Sequence, residues 1–173
     1  FILSGQSNMT GNLKAGFAET VTAALGEDEV TIVQCSRSGR GIRFWVSDYA
    51  LPEDHPMAGL SGNKSNGEEF ARLVKAVKDS CEAGSFKTVS LIWMQGESDA
   101  NRDLAVAYER SFTTLVFRLR KELGLDQMRF VIGRISDYGL HGDKSEGWIR
   151  MRAVQQQIAE SDPLGAWIDT DDL

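Results

Sequence analysis

Long apolar runs are missing from this chain: nothing in its 173 residues approaches the ~20 consecutive apolar positions that a membrane-spanning helix needs. Positive charge is also short. Lys and Arg number 19 against 25 Asp and Glu, which gives a net charge of −6 and a pI near 5.0. The basic residues are scattered along helical stretches rather than gathered. That argues against nucleic acid or an anionic membrane as partner, because counterion release needs clustered cations. Cysteine occurs twice, at Cys35 and Cys81, a pair that matches no metal-ligand spacing. Their separation permits a disulfide without arguing for one, and two buried thiols are the preferred reading. Histidine is equally scarce, with only His55 and His141. An initiating Met is absent as well: the chain opens inside a strand and closes at Asp171-Asp172-Leu173, directly after an apolar run. The expectation is the ordered or excised part of a longer protein, truncated at both ends, so no targeting inference is drawn.

What is present reads as one α/β domain with a single core. Phe1-Ile-Leu3 is the end of a buried strand. Leu13, Phe17, Val21 and Leu25 then recur every fourth residue, the mark of one helix face. Val30–Cys35 is short and β-branched, a second strand. Strand, helix and strand in this order form a βαβ unit, and a parallel sheet follows. Residues 46–67 hold Pro52, Pro56 and several Gly and Asn, and are expected as a long loop, with His55 in solvent. A helix is expected over Glu68–Cys81 and a third strand over Lys87–Met94. A long helix over Asp103–Leu123 carries Leu104, Tyr108, Phe112, Leu115, Leu119 and Leu123 in one stripe. A fourth strand over Met128–Ile135, a helix over Trp148–Ile158 and a fifth strand over Ala166–Ile168 complete the pattern.

Chemistry concentrates where strands end. Gly5 lets the backbone turn, and Ser7 arrives just beyond the first strand. In an open α/β sheet that is where ligands bind. A serine there offers a nucleophilic hydroxyl and one backbone N–H for an oxyanion. Ser4, Ser7 and Asn8 also suit plain capping of the next helix. After the second strand comes Ser36-Arg-Ser-Gly-Arg-Gly-Ile-Arg-Phe-Trp45, in which Gly39 leaves room for a substrate oxygen beside its N–H. A simple glycine turn is the bland alternative. Arg40 and Arg43 flank this stretch, suited to an anionic sugar or to ordinary surface charge. After the third strand stands Trp93-Met-Gln-Gly-Glu-Ser-Asp99.

These three blocks resemble those of the GDSL-like SGNH hydrolase superfamily. Gly5-Gln6-Ser7-Asn8-Met9 with Gly11 is similar to its first block in the sialate O-acetylesterase-like variant, carbohydrate esterase family 6 and its relatives. Ser38, Gly39, Ile42 and Trp45 fall on a Gly-Gly-x-x-Ile-x-x-Trp block, with the first Gly replaced by Ser. Trp93, Gln95, Gly96, Glu97 and Asp99 match Trp-x-Gln-Gly-Glu-x-Asp. The resemblance implies a three-layer α/β/α sandwich with a five-stranded parallel sheet in the flavodoxin-like order 2-1-3-4-5. It implies a serine esterase that removes O-acetyl groups from carbohydrates through an acyl-enzyme, with Ser7 as nucleophile. Oxyanion donors would be the N–H groups of Ser7 and Gly39 and the amide of Gln95, a donor that carries no charge. Glu97 would help orient a histidine. The implied partner is an acetylated carbohydrate, of acetylxylan or sialic acid type. No metal or organic cofactor is implied, and a secreted or periplasmic site is expected.

One block is absent. No Asp-x-x-His occurs in these 173 residues, yet the resemblance requires it as general base and orienting carboxylate. Three readings follow: the block lies beyond Leu173, which is preferred; His141 substitutes; or the chain is an inactive carbohydrate-binding domain that keeps Trp45, Trp93 and the long loop.

Overall fold

A computed structural model describes residues 1–80 and 86–171. Its centre is one parallel sheet of β1 (Ile2–Gly5), β2 (Val33–Ser36), β3 (Ser90–Met94), β4 (Arg129–Gly133) and β5 (Gly165–Ile168). The strand order is β2-β1-β3-β4-β5, as the family resemblance implies. The helices are α1 (Asn12–Leu25), α2 (Glu68–Ser80), the short α3 (Glu97–Ala100), α4 (Tyr108–Leu123) and α5 (Ser145–Ser161).

Handedness distributes the helices. The step from β1 to β2 moves one way across the sheet and every later step moves the other way. Right-handed crossovers therefore put α1 alone on one face and α2, α4 and α5 together on the opposite face. The latter three pack side by side, α2 on α4 and α4 on α5. Their apolar stripes close over the sheet: Leu73 and Val77, Phe112, Leu115 and Leu119, and Met151 and Ile158 meet Leu91, Trp93, Phe130 and Ile132 in one core. Trp45, Trp93, Phe112 and Phe130 form a chain of edge-on ring contacts 5.1–5.7 Å between centroids. Cys35 is a buried free thiol whose pKa burial pushes up. Cys81 lies outside the described residues. Among the described residues no helix is long and apolar enough to cross a membrane.

Several expectations need correction. The helix expected from Asp103 begins only at Tyr108. Asp103 itself turns left-handed (φ 56°), and Leu104 packs its side chain from the turn that follows. The helix face marked by Leu13, Phe17, Val21 and Leu25 forms as expected but packs loosely, with Leu13 37% and Leu25 56% exposed and Phe17 and Val21 half-buried. β2 starts three residues later than Val30, and β3 starts at Ser90 rather than Lys87. His55 is not free in solvent: its Nδ1 accepts from the Met57 N–H at 3.1 Å, and its Nε2 lies 3.3 Å from the Asp103 carbonyl. The 46–67 segment is a loop as expected, apart from a single 3₁₀ turn at Ala58–Leu60.

Candidate active site

Register brings three loops to one place. Gly5 pairs with Ser36 on one side and Met94 on the other, so β1, β2 and β3 end level. The residues that follow each strand therefore share the crevice at the sheet's carboxyl edge. Gln6 continues the pairing with an N–H bond to the Met94 carbonyl at 2.9 Å, and then the chain tightens into a 3₁₀ turn, Ser7–Met9. Ser7 is exposed, and its hydroxyl has no partner among the described residues. The turn is held from several sides. The Thr10 N–H and hydroxyl both donate to the Ser7 carbonyl, and the Gln34 amide donates to the Met9 carbonyl. Asn8 donates across the crevice to Glu97 Oε1 at 2.5 Å.

Gly39 adopts a left-handed conformation (φ 68°), with open space where a side chain would stand. Backbone conformation is thus the reason for glycine here, and the crevice beside it stays free. The Gly39 carbonyl accepts a long bond from the Ser98 hydroxyl, 3.4 Å. Arg40 and Arg43 both lie against the Phe44 ring, at 4.1 and 3.8 Å from its centroid. Arg40 is paired with Glu68 at 3.2 Å, while Arg43 reaches Ser65 and Asn66 and fastens the long loop.

Gln95 is fully buried. Its Nε2 donates to Asp99 Oδ2 at 2.5 Å and to the Arg40 carbonyl at 3.2 Å. Both amide hydrogens are therefore engaged, one by a carboxylate and one by the loop that carries Gly39. The Gln95 backbone carbonyl is fixed too, accepting from the Tyr108 hydroxyl at 2.6 Å and from the Gln155 amide at 2.8 Å. Glu97 is half-buried, and its Oε2 is a buried acceptor without a partner among the described residues. Burial, with a smaller push from Asp99, raises its pKa despite backbone N–H bonds that oppose the shift. Asp99 is 1% exposed. Burial pushes its carboxyl up to about 6, against the bonds from Gln95 and the Ile42 N–H and the charges of Arg102 and Arg43.

The four residues singled out from sequence thus fall in one neighbourhood: Ser7 beside Asn8 and Glu97, Gly39 against Ser98, and Gln95 against Arg40. Sequence reading missed Asp99, Tyr108 and Gln155, which fix this neighbourhood from beneath. Asp99 had a signal, since it closes the Trp-x-Gln-Gly-Glu-x-Asp block. Gln155 had none beyond being a glutamine in a helix. His141 is exposed, and neither histidine is hydrogen-bonded to Ser7. Trp45 and Trp93, 1% and 0% exposed, are core residues and present no face on which a sugar could stack. Among the described residues no cluster of His, Cys, Asp and Glu is placed to hold a metal ion.

Residues 12–173 match the protein family described as carbohydrate esterase, sialic acid-specific acetylesterase. The chain belongs to this family. The matched span begins just after the serine turn, so it covers the Gly39 and Gln95 blocks and not Ser7. Among solved structures, a protein from Arabidopsis thaliana superposes with a TM-score of 0.67 at 19% identity, over 99% of this chain and 69% of its own. A carbohydrate acetylesterase from Xanthomonas citri superposes with a TM-score of 0.67 at 21% identity, over 92% of this chain and 34% of its own. The esterase family chain therefore spans about a third of the Xanthomonas protein. At these identities the two structures speak for the fold. No curated protein matches the chain.

Proposed function

We propose that the protein is a serine esterase that removes O-acetyl groups from carbohydrates, of acetylxylan or sialic acid type. The observation that supports the reading is the level ending of β1, β2 and β3, from which the segments carrying Ser7, Gly39 and Gln95 all leave the sheet at one edge. Ser7 Oγ attacks the acetyl carbonyl carbon, and its proton passes to a histidine base. The family resemblance assigns that base to an Asp-x-x-His block, and the buried Glu97 Oε2, without a partner among the described residues, is a ready acceptor to orient it. The oxyanion takes the N–H groups of Ser7 and Gly39. It takes the second Gln95 hydrogen by exchange for the 3.2 Å bond to the Arg40 carbonyl. Collapse breaks the ester C–O bond, the histidine returns its proton to the sugar oxygen, and acetyl-Ser7 is then hydrolysed by water.

The test uses the full-length protein, acetylated xylo-oligosaccharide and O-acetyl sialic acid, with intact-mass detection of a fluorophosphonate adduct. The expected result is acetate release from at least one substrate and one adduct on Ser7. Ser7→Ala should lose both, with turnover lowered by at least about 10³-fold. Acetate release that survives Ser7→Ala, or a protein that neither labels nor turns over, overturns the reading. The binding-module alternative is weakened by the burial of Trp45 and Trp93, the rings it relied on.

A further inference from the structure

Asp99 is a charged side chain that no reaction step uses, yet it is among the most buried polar groups of the molecule. A carboxyl in such a place is disfavoured unless its bonds do something specific. Its Oδ2 accepts from two directions at once: from the Gln95 amide at 2.5 Å and from the Ile42 backbone N–H at 2.9 Å. The first partner sits at the end of β3, the second in the loop after β2. These are the two segments that carry the Gln95 and Gly39 donors. Oδ1 lies against Gly41, where an added Cβ would stand only 2.9 Å from it.

We propose that Asp99 is the positioning residue of the oxyanion donors, holding the Gln95 amide and the Gly39–Ile42 loop in one fixed relation. The inference rests on the acetylesterase reading. Its logic is the donor inventory. An ionised carboxylate accepts and never donates, so it admits only N–H groups. Gln95 therefore turns Nε2 toward Asp99 and Oε1 away. The second Nε2 hydrogen then points to the Arg40 carbonyl, the place a substrate oxygen takes over. A side chain without an acceptor at position 99 removes this choice, because the Gln95 amide and the Ile42 N–H share the single oxygen Oδ2. An asparagine can still set its one oxygen in the Oδ2 place and turn its NH2 to the Oδ1 place, which no donor among the described residues occupies. Burial against Gly41 prevents the carboxylate from sliding to a third arrangement.

The test measures kcat and KM for p-nitrophenyl acetate at pH 7.5 on full-length wild type, Ser7→Ala, Asp99→Ala, Asp99→Asn and Gly41→Ala, with thermal midpoints alongside. Asp99→Ala is expected to lower kcat by about 30- to 100-fold and leave KM within about twofold, because a misdirected donor is felt mainly in the transition state. Asp99→Asn, whose one oxygen can take the Oδ2 place, should recover most of that loss. Gly41→Ala keeps the carboxylate but pushes it aside, and should lower kcat by roughly 5- to 10-fold with KM again unchanged. It carries the test should Asp99→Ala not fold. Wild-type kcat in folded Asp99→Ala or Gly41→Ala overturns the proposal, as does an Asp99→Asn no more active than Asp99→Ala. Wild type without Ser7-dependent turnover overturns the esterase reading itself, a result distinct from either of these.

Discussion

At the scale of single residues, the buried carboxyl of Asp99 leaves a mark on stability that runs against the usual direction for acids. Most native carboxyls are paired, have lowered pKa values and lose stability in acid. Asp99 is held at about 6, above the ordinary 3.8, chiefly by burial. Between those two values the native state keeps a proton that the unfolded chain has released. Its contribution to stability therefore falls as pH rises from about 4 to about 6 and is level above that. Glu97, raised also by burial, acts in the same sense. Urea unfolding of wild type and Asp99→Asn across pH 4 to 7.5 reads this directly. The difference between them should shift in the variant's favour as pH rises, and a constant difference would contradict the assignment of the raised pKa.

At the scale of elements, the connection between α3 and α4 concentrates the strain of the fold. Asp103 is the single non-glycine residue with positive φ among those described. It is fastened on three sides: its carboxylate accepts from Arg150 Nε and Nη2 at 3.1 and 2.7 Å, its carbonyl faces His55, and its N–H donates to the Ala100 carbonyl. Asn tolerates the left-handed region nearly as well as Asp, whereas a β-branched residue does not. Asp103→Val is accordingly expected to cost about 1–2 kcal/mol in urea unfolding. Asp103→Asn should stay within about 0.5 kcal/mol, since the ion pair it breaks is exposed. This corner is also where sequence reading failed. The apolar spacing from Leu104 to Leu123 runs unbroken through the corner, because Leu104 supplies a buried side chain from a turn as well as a helix would. Period alone does not report backbone direction. The sheet, by contrast, was legible from its short β-branched runs, though its order came from resemblance and not from spacing. At the site the same division holds. Ser7, Gly39, Gln95 and Glu97 sit in blocks at strand ends, where residue type and spacing single them out. Tyr108 and Gln155 act through burial and bond direction, which a one-dimensional pattern does not carry.

At the scale of the whole molecule, packing is unequal on the two sides of the sheet. α4 buries Tyr108, Ser111, Phe112, Leu115, Val116 and Leu119, whereas no described side chain of α1 is buried. Local opening free energy follows buried apolar area. Amide hydrogen exchange should therefore give α1 protection factors at least about tenfold below those of α4, and equal protection would contradict this account of the packing. The Ser7 turn does not depend on α1 for its place, because Asn8 is bonded to Glu97 and the Met9 carbonyl to Gln34, both outside that helix. The loosely packed α1 thus begins shortly after Ser7, with an independently moored turn between them. On gentle heating, the far-ultraviolet signal of helix loss should run ahead of the loss of activity, and a molecule already frayed at one edge would still turn over its ester.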